Sequence, residues 1–288
     1  MVLENLYPLA LVKRSPIFAL LLGLGYGIVG IGGAVILFPE DPAIVAVAFT
    51  AILAIPTIRG LLRDAEAIES ERERSSVTLF FKDHTPVFLA YYFLFLGVFI
   101  AFSFFALSLP NLATNHIFEN QVQVRYGQAT GHAFSQVLSS QTFKTILFNN
   151  ISVLLLCIIT AFLIGDGATF LIVWNASVWG TIFGILAKSA AFNVGKDPLL
   201  YFIIVIVSVF PHMTLEVLSY IVGATSGGIL SKGFIREKFF SDKFFFILRD
   251  VIILLIIAGI ILFLGAFVET EALQGFKAYI QIIRQSFY

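Results

Sequence analysis

Seven long apolar runs decide what this chain can fold into. A helix crossing about 30 Å of hydrocarbon needs roughly 20 apolar residues. Six segments satisfy that length outright: Ile17 to Phe38, Ala43 to Leu62, Pro86 to Leu109, Thr145 to Ile164, Thr169 to Ala187 and Leu248 to Val268. A seventh, Leu199 to Leu230, is too long for one straight crossing and too short for two ordinary ones. With 59% hydrophobic and only 12% charged residues, the chain lies outside the range of soluble domains. The expectation is an all-α, polytopic transmembrane helix bundle of about seven spans. The first run is too long for the core of a secretion signal and is read as a retained span.

Lysine and arginine set the orientation, because cytoplasmic loops carry their excess. Lys13 and Arg14 precede the first span, and Arg59, Arg63, Arg72, Arg74 and Lys82 sit at or between the second and third, which puts the N-terminus inside. Alternation then places residues 111–144 outside, the Gly165 to Ala168 turn inside and residues 188–198 outside. If Leu199 to Leu230 crosses once, Lys232, Arg236, Lys238, Lys243 and Arg249 are also inside, making 12 of the 18 basic residues cytoplasmic. A double crossing would break the rule. A single net crossing, by a broken or partly re-entrant element, and an external C-terminus follow.

The connecting segments divide the chain. Residues 1–62 read as a two-helix hairpin and 63–85 as a charged cytoplasmic connector. Residues 86–270 read as the core with its external loop 111–144, and 271–288 as an amphipathic interfacial tail. The stretch Leu62 to Ser76 combines both charge signs with good helix formers and reads as a solvated extension of the second span. The external loop is polar but carries Ile117, Phe118, Val122, Phe134, Val137 and Leu138, enough for one or two short helices lying on the membrane or capping the bundle. In the tail, Leu273, Phe276, Ile280, Ile283 and Phe287 recur at helical spacing. Pairs Gly23 with Gly27, Gly180 with Gly184 and Gly223 with Gly227 have the spacing that lets helix backbones approach, within the bundle or between subunits.

Polar groups inside a bilayer are costly and face the protein interior, so they mark candidate sites. They are Asn149 and Asn150 at the start of the fourth span, Asn175 in the fifth, His212 and Glu216 in the long seventh region, and Glu269 at the end of the last span. Pro211 has no N–H to donate, and a helix arriving from Leu199 is expected to break there and restart. His212 and Glu216, four residues apart, then share one helix face and can share a hydrogen bond. Structural pinning, proton relay and cation binding all remain open for the pair. Two such ligands make at most half a zinc site, and no metal or cofactor is expected. Neither HExxH, GxSxG nor a glycine-rich phosphate loop occurs, so catalysis and ATP hydrolysis by this chain are not expected. The single cysteine, Cys157, forms no internal disulfide and reads as a small hydrophobe.

The order of these features, FNNISVLLL, then IGDGATFLIVWNASVWGTIFG, then VFPHMTLEVLSYIVGATSGGIL, then a last span closing in AFVET, resembles the stage II sporulation protein M family. The resemblance covers about residues 145–270, with a weaker match at Pro86 to Leu109. It implies a multi-pass plasma-membrane protein whose shared polar positions fall on Asn149, Asn150, Asn175, His212, Glu216 and Glu269. Met213 stands where the family pattern has glycine. In spore formers, family members anchor a complex with cell-wall hydrolases at the membrane. The corresponding expectation is a scaffold with membrane or peripheral protein partners, or further copies of itself, in contact with lipid and not nucleic acid. The alternative is a transporter or channel component built on His212 and Glu216.

Overall fold

The computed structural model describes residues 9–70, 77–126, 142–237 and 241–286. Among them are eleven helices and no strand: α1 Leu9–Arg14, α2 Ile17–Leu37, α3 Pro42–Ser70, α4 Val77–Ser108, α5 Asn111–Ile117, α6 Glu119–Tyr126, α7 Thr142–Ile164, α8 Ala168–Asn193, α9 Pro198–Arg236, α10 Asp242–Gly275 and α11 Lys277–Gln285. Seven of these, α2, α3, α4, α7, α8, α9 and α10, are long and apolar enough to cross a membrane. Parts of the charged connector (71–76) and of the external loop (127–141) lie outside the described residues.

Burial separates the centre from the rim. The most apolar stretch of α8 is 72% buried and that of α4 is 61%, whereas α2 and α7 are only 28% and 22% buried. The rim helices therefore turn large residues such as Leu21, Val29, Phe148 and Leu163 outward, as lipid permits. One apolar core joins α2, α3, α4, α8, α11 and the first half of α9. A second joins α7, α10 and the later part of α9 around Cys157, Tyr220 and Leu254. The α9 helix thus fastens two sub-bundles together.

The long α9 is one continuous helix with Pro211 inside it, not the broken element expected from sequence. Proline forfeits a single backbone bond, to the carbonyl of Val207, whereas a true break at membrane depth would strand several polar groups. Continuity therefore leaves fewer groups unsatisfied. The start of the helix is well specified: Asp197 caps it by accepting from the N–H groups of Leu199 and Leu200 at 2.7 and 3.1 Å, ahead of Pro198. At 39 residues α9 is about 58 Å long, so as a single crossing it must tilt or project beyond the hydrocarbon.

All three glycine pairs are used inside the molecule. A Cβ on Gly23 would strike the backbone of Leu94 in α4, and one on Gly27 would come within 2.6 Å of Ala101. Gly180 and Gly184 in α8 face Phe99, Ser103 and Ala106 of α4, and Gly223 and Gly227 in α9 face Leu154, Ile158 and Ala161 of α7. Close backbone approach substitutes for the hydrophobic drive that helices lack in lipid.

Polar contacts sort the helix ends onto two sides in the expected alternation. On one side Lys13 pairs with Asp64 at 2.5 Å, and Arg59 donates to Asp166 of the α7–α8 turn at 2.6 Å. On the other, His116 meets the carbonyl of Pro39 at 2.7 Å, and Asn193 donates to the carbonyl of Gln285 at 2.8 Å. The helices α5 and α6 cap this second end, with Phe118 buried against Phe102. Lys188 donates to the carbonyl of Leu109 at 2.7 Å, a cation at the C-terminal end of α4 where the helix dipole favours it. The tail helix α11 seals the same end by burying Tyr279, Ile282 and Ile283 against the bundle.

Candidate functional site: a carboxyl pair inside the bundle

The polar site lies where the two sub-bundles meet. Glu216, from the middle of α9, lies within hydrogen-bonding reach of Glu269 of α10 and beside Asn150 of α7. Three helices therefore contribute one group each. Glu216 is 2% exposed, Asn150 6% and His212 5%, whereas Glu269 is only half-buried. Tyr220, one turn beyond Glu216, lies near both carboxyls and near Cys157 of α7, and Tyr279 of α11 approaches Glu269 from the capped end. Burial, with Glu269 as a lesser cause, pushes the Tyr279 phenol above its usual range, so that group stays neutral.

Local packing explains why the carboxyls can meet. Gly265 lies one turn before Glu269, and a Cβ there would come within 3.2 Å of the Glu216 side chain and 3.3 Å of Leu215. Its hydrogen lets α10 press against the stem of Glu216. Ser219, three residues beyond Glu216, donates across to the carbonyl of Ala258 at 2.8 Å and sets the register of α9 on α10. Tyr92 of α4 and Thr214 of α9 share a 2.8 Å hydrogen bond that steadies the preceding turn.

Of the residues picked out from sequence, Asn150, Glu216 and Glu269 are brought together. Asn149 joins them indirectly, its amide donating to Oδ1 of Asn150 at 3.3 Å. His212 is buried one turn before Glu216, but no bond between the two is formed among the described contacts, and its Nδ1 has no partner. Asn175 is not drawn in: its amide donates to the carbonyl of Leu171 in its own helix at 2.8 Å. Pro211 marks no helix end, as described above. Sequence reading passed over Tyr220 and Gly265, although each stands four residues from a carboxyl on its own helix, a signal that helical spacing carries.

Hydrogen bonding at the site is incomplete. Glu216 Oε1, Asn150 Nδ2 and His212 Nδ1 are all buried without a hydrogen-bond partner. No group of three or more His, Cys, Asp and Glu able to hold a metal ion occurs among the described residues.

Fold and family pattern together define a polytopic helical membrane protein with a polar cluster where α7, α9 and α10 meet. A family model for Stage II sporulation protein M matches residues 88–271, more than half of the chain, and reaches from within α4 to just beyond Glu269. The chain belongs to that family. Comparison with curated proteins and with solved structures finds no match.

Proposed function

We propose that this chain is a transporter or channel component whose intramembrane site is built on Glu216, Glu269, Asn150 and His212. The observation that carries the reading is the burial of two ionisable side chains, Glu216 and His212, inside an apolar helix bundle, with Glu269 and Asn150 reaching Glu216 from two further helices. Ionisable groups at membrane depth are the usual markers of ion and proton pathways. The protein acts without catalysis. Purified protein in liposomes tests this: wild type moves at least one ion across the bilayer, and Glu216→Gln and His212→Ala reduce that flux while eluting as intact protein. Silence over a broad panel of ions and small solutes would overturn it.

A scaffold role has its own support in α3, which runs as helix to Ser70, past its apolar span into a stretch rich in both charge signs. Such a projecting helix suits a docking peptide of opposite charge pattern. Crosslinking in native membranes would then capture a stoichiometric partner, lost when residues 63–76 are deleted. Capture of self-contacts alone would sink the scaffold reading.

A further inference from the structure

We propose that the outward face of α7 is the contact between two copies of this chain, related by a two-fold axis along the membrane normal and joined by a pair of Asn149 side chains. The α7 helix stands at the rim, packed mainly against α9 and α10, and its apolar stretch is only 22% buried. Asn150, Leu154, Cys157 and Ala161 form its buried side. On the opposite side Asn149, Ser152, Leu156, Ile159 and Leu163 are all exposed, Leu163 to 70%. Their spacing alternates between three and four residues, which is the period of a seam between two helices.

Lipid accounts for the three apolar members of this seam but not for the asparagine. The span runs from Phe143 to Ile164, so Asn149 lies about 7 Å from its midpoint at 1.5 Å per residue, well inside the hydrocarbon. Acyl chains offer neither donor nor acceptor there. Ser152 meets its own need by donating to the carbonyl of Phe148 at 2.9 Å. Asn149 does not. One N–H of its amide donates to Oδ1 of Asn150 at 3.3 Å, while its second N–H and its Oδ1 have no partner among the described residues.

The unmet groups are one donor and one acceptor on a single amide, so the side chain is its own complement. Insertion gives every copy the same orientation, and a two-fold axis normal to the membrane then brings identical residues together at equal depth. Each Asn149 donates its second N–H to Oδ1 of the other. A different partner would need its own amide at that depth, whereas a second copy supplies one by symmetry. The small Ser152 lets the two helices approach, and Leu156, Ile159 and Leu163 interdigitate below it. The glycine pairs do not compete for this role, because each is engaged within the bundle.

The test uses the fluorescently labelled full chain in phosphatidylcholine and phosphatidylglycerol liposomes, with photobleaching steps counted over a series of lipid dilutions. Wild type should bleach mainly in two steps at low dilution. Asn149→Leu should weaken association about tenfold, and Asn149→Gln, which keeps the amide, should recover most of it. A second readout leaves Asn149 untouched. In a Cys157→Ala background, copper phenanthroline should crosslink Ser152→Cys, Leu156→Cys and Ile159→Cys into dimers, but not Ile203→Cys on α9 or Ile256→Cys on α10, which also face outward. Single-step bleaching of wild type at every dilution overturns the dimer. Crosslinks through α9 or α10 as strong as those through α7 overturn the choice of face. Association unchanged by Asn149→Leu overturns the asparagine pair. Crosslinking of the α7 cysteines in native membranes to a different protein alone overturns the second copy as occupant.

Discussion

Gly223 and Gly227 stand one turn apart on α9 and face the same helix, yet they tolerate change differently. A Cβ on Gly223 meets the flexible end of Leu154, whereas one on Gly227 runs into the backbone carbonyl of Ile158. A side-chain tip can rotate away and a helix backbone cannot. Gly227→Ala is therefore expected to lower stability by about 1–3 kcal/mol, with Gly223→Ala well below that, as read from denaturant titration in detergent micelles. Gly259→Ala, which meets nothing, should be neutral or slightly stabilising. At the site, Gly265→Val should push α10 off Glu216 and lower both stability and flux, because its extra methyls have only the Glu216 stem and Leu215 to displace. The Arg59–Asp166 pair is more modest. Arg59 is 69% exposed, so Asp166→Asn should change stability by less than about 1 kcal/mol.

At the level of elements, α9 shows where residue preference yields to its surroundings. Proline disfavours a helix interior, yet α9 continues through Pro211, just as α3 continues through Pro56 and α4 through Pro86. Pro211→Ala restores the bond to the Val207 carbonyl and should raise the thermal midpoint without altering the helical circular dichroism; a large fall in helicity would contradict a continuous α9. The tail behaves as a strap. Its buried face rests on Tyr279, Ile282 and Ile283, and its end is held by Asn193. Tyr279→Ala should free α11, exposing residues 276–286 to proteolysis in folded micelles while the remaining bundle resists. Spacing of apolar residues revealed that this segment is an amphipathic helix. It did not reveal that part of the apolar face is taken by α8 and α9 rather than by lipid, since both present the same chemistry.

For the molecule as a whole, the paired contacts at the two ends predict which residues share a side of the membrane. In a Cys157→Ala background, cysteines at Arg63 and Asp166 should react with an impermeant maleimide from one face, and cysteines at Glu40 and Asn193 from the other. Labelling of Arg63 and Asn193 from the same face would refute the arrangement. The number of spans, their rough limits and the shared face of His212 and Glu216 were legible in the residue order, because bilayer thickness fixes run length and the helix fixes a period of 3.6 residues. Glu269 and Asn150 were legible as candidates because polar groups in apolar spans are costly, but nothing local connects residues 150, 216 and 269. Asn175 looked equivalent on the same grounds, yet its amide bonds within its own helix. Membership of the site is a matter of which faces meet. Charge placement and apolar run length are local quantities and can be read along a chain. Which carboxyl faces which amide, which glycine opens the way and which polar atoms are left unpaired depend on how seven rigid helices rotate and slide against each other, and only their packing selects that arrangement.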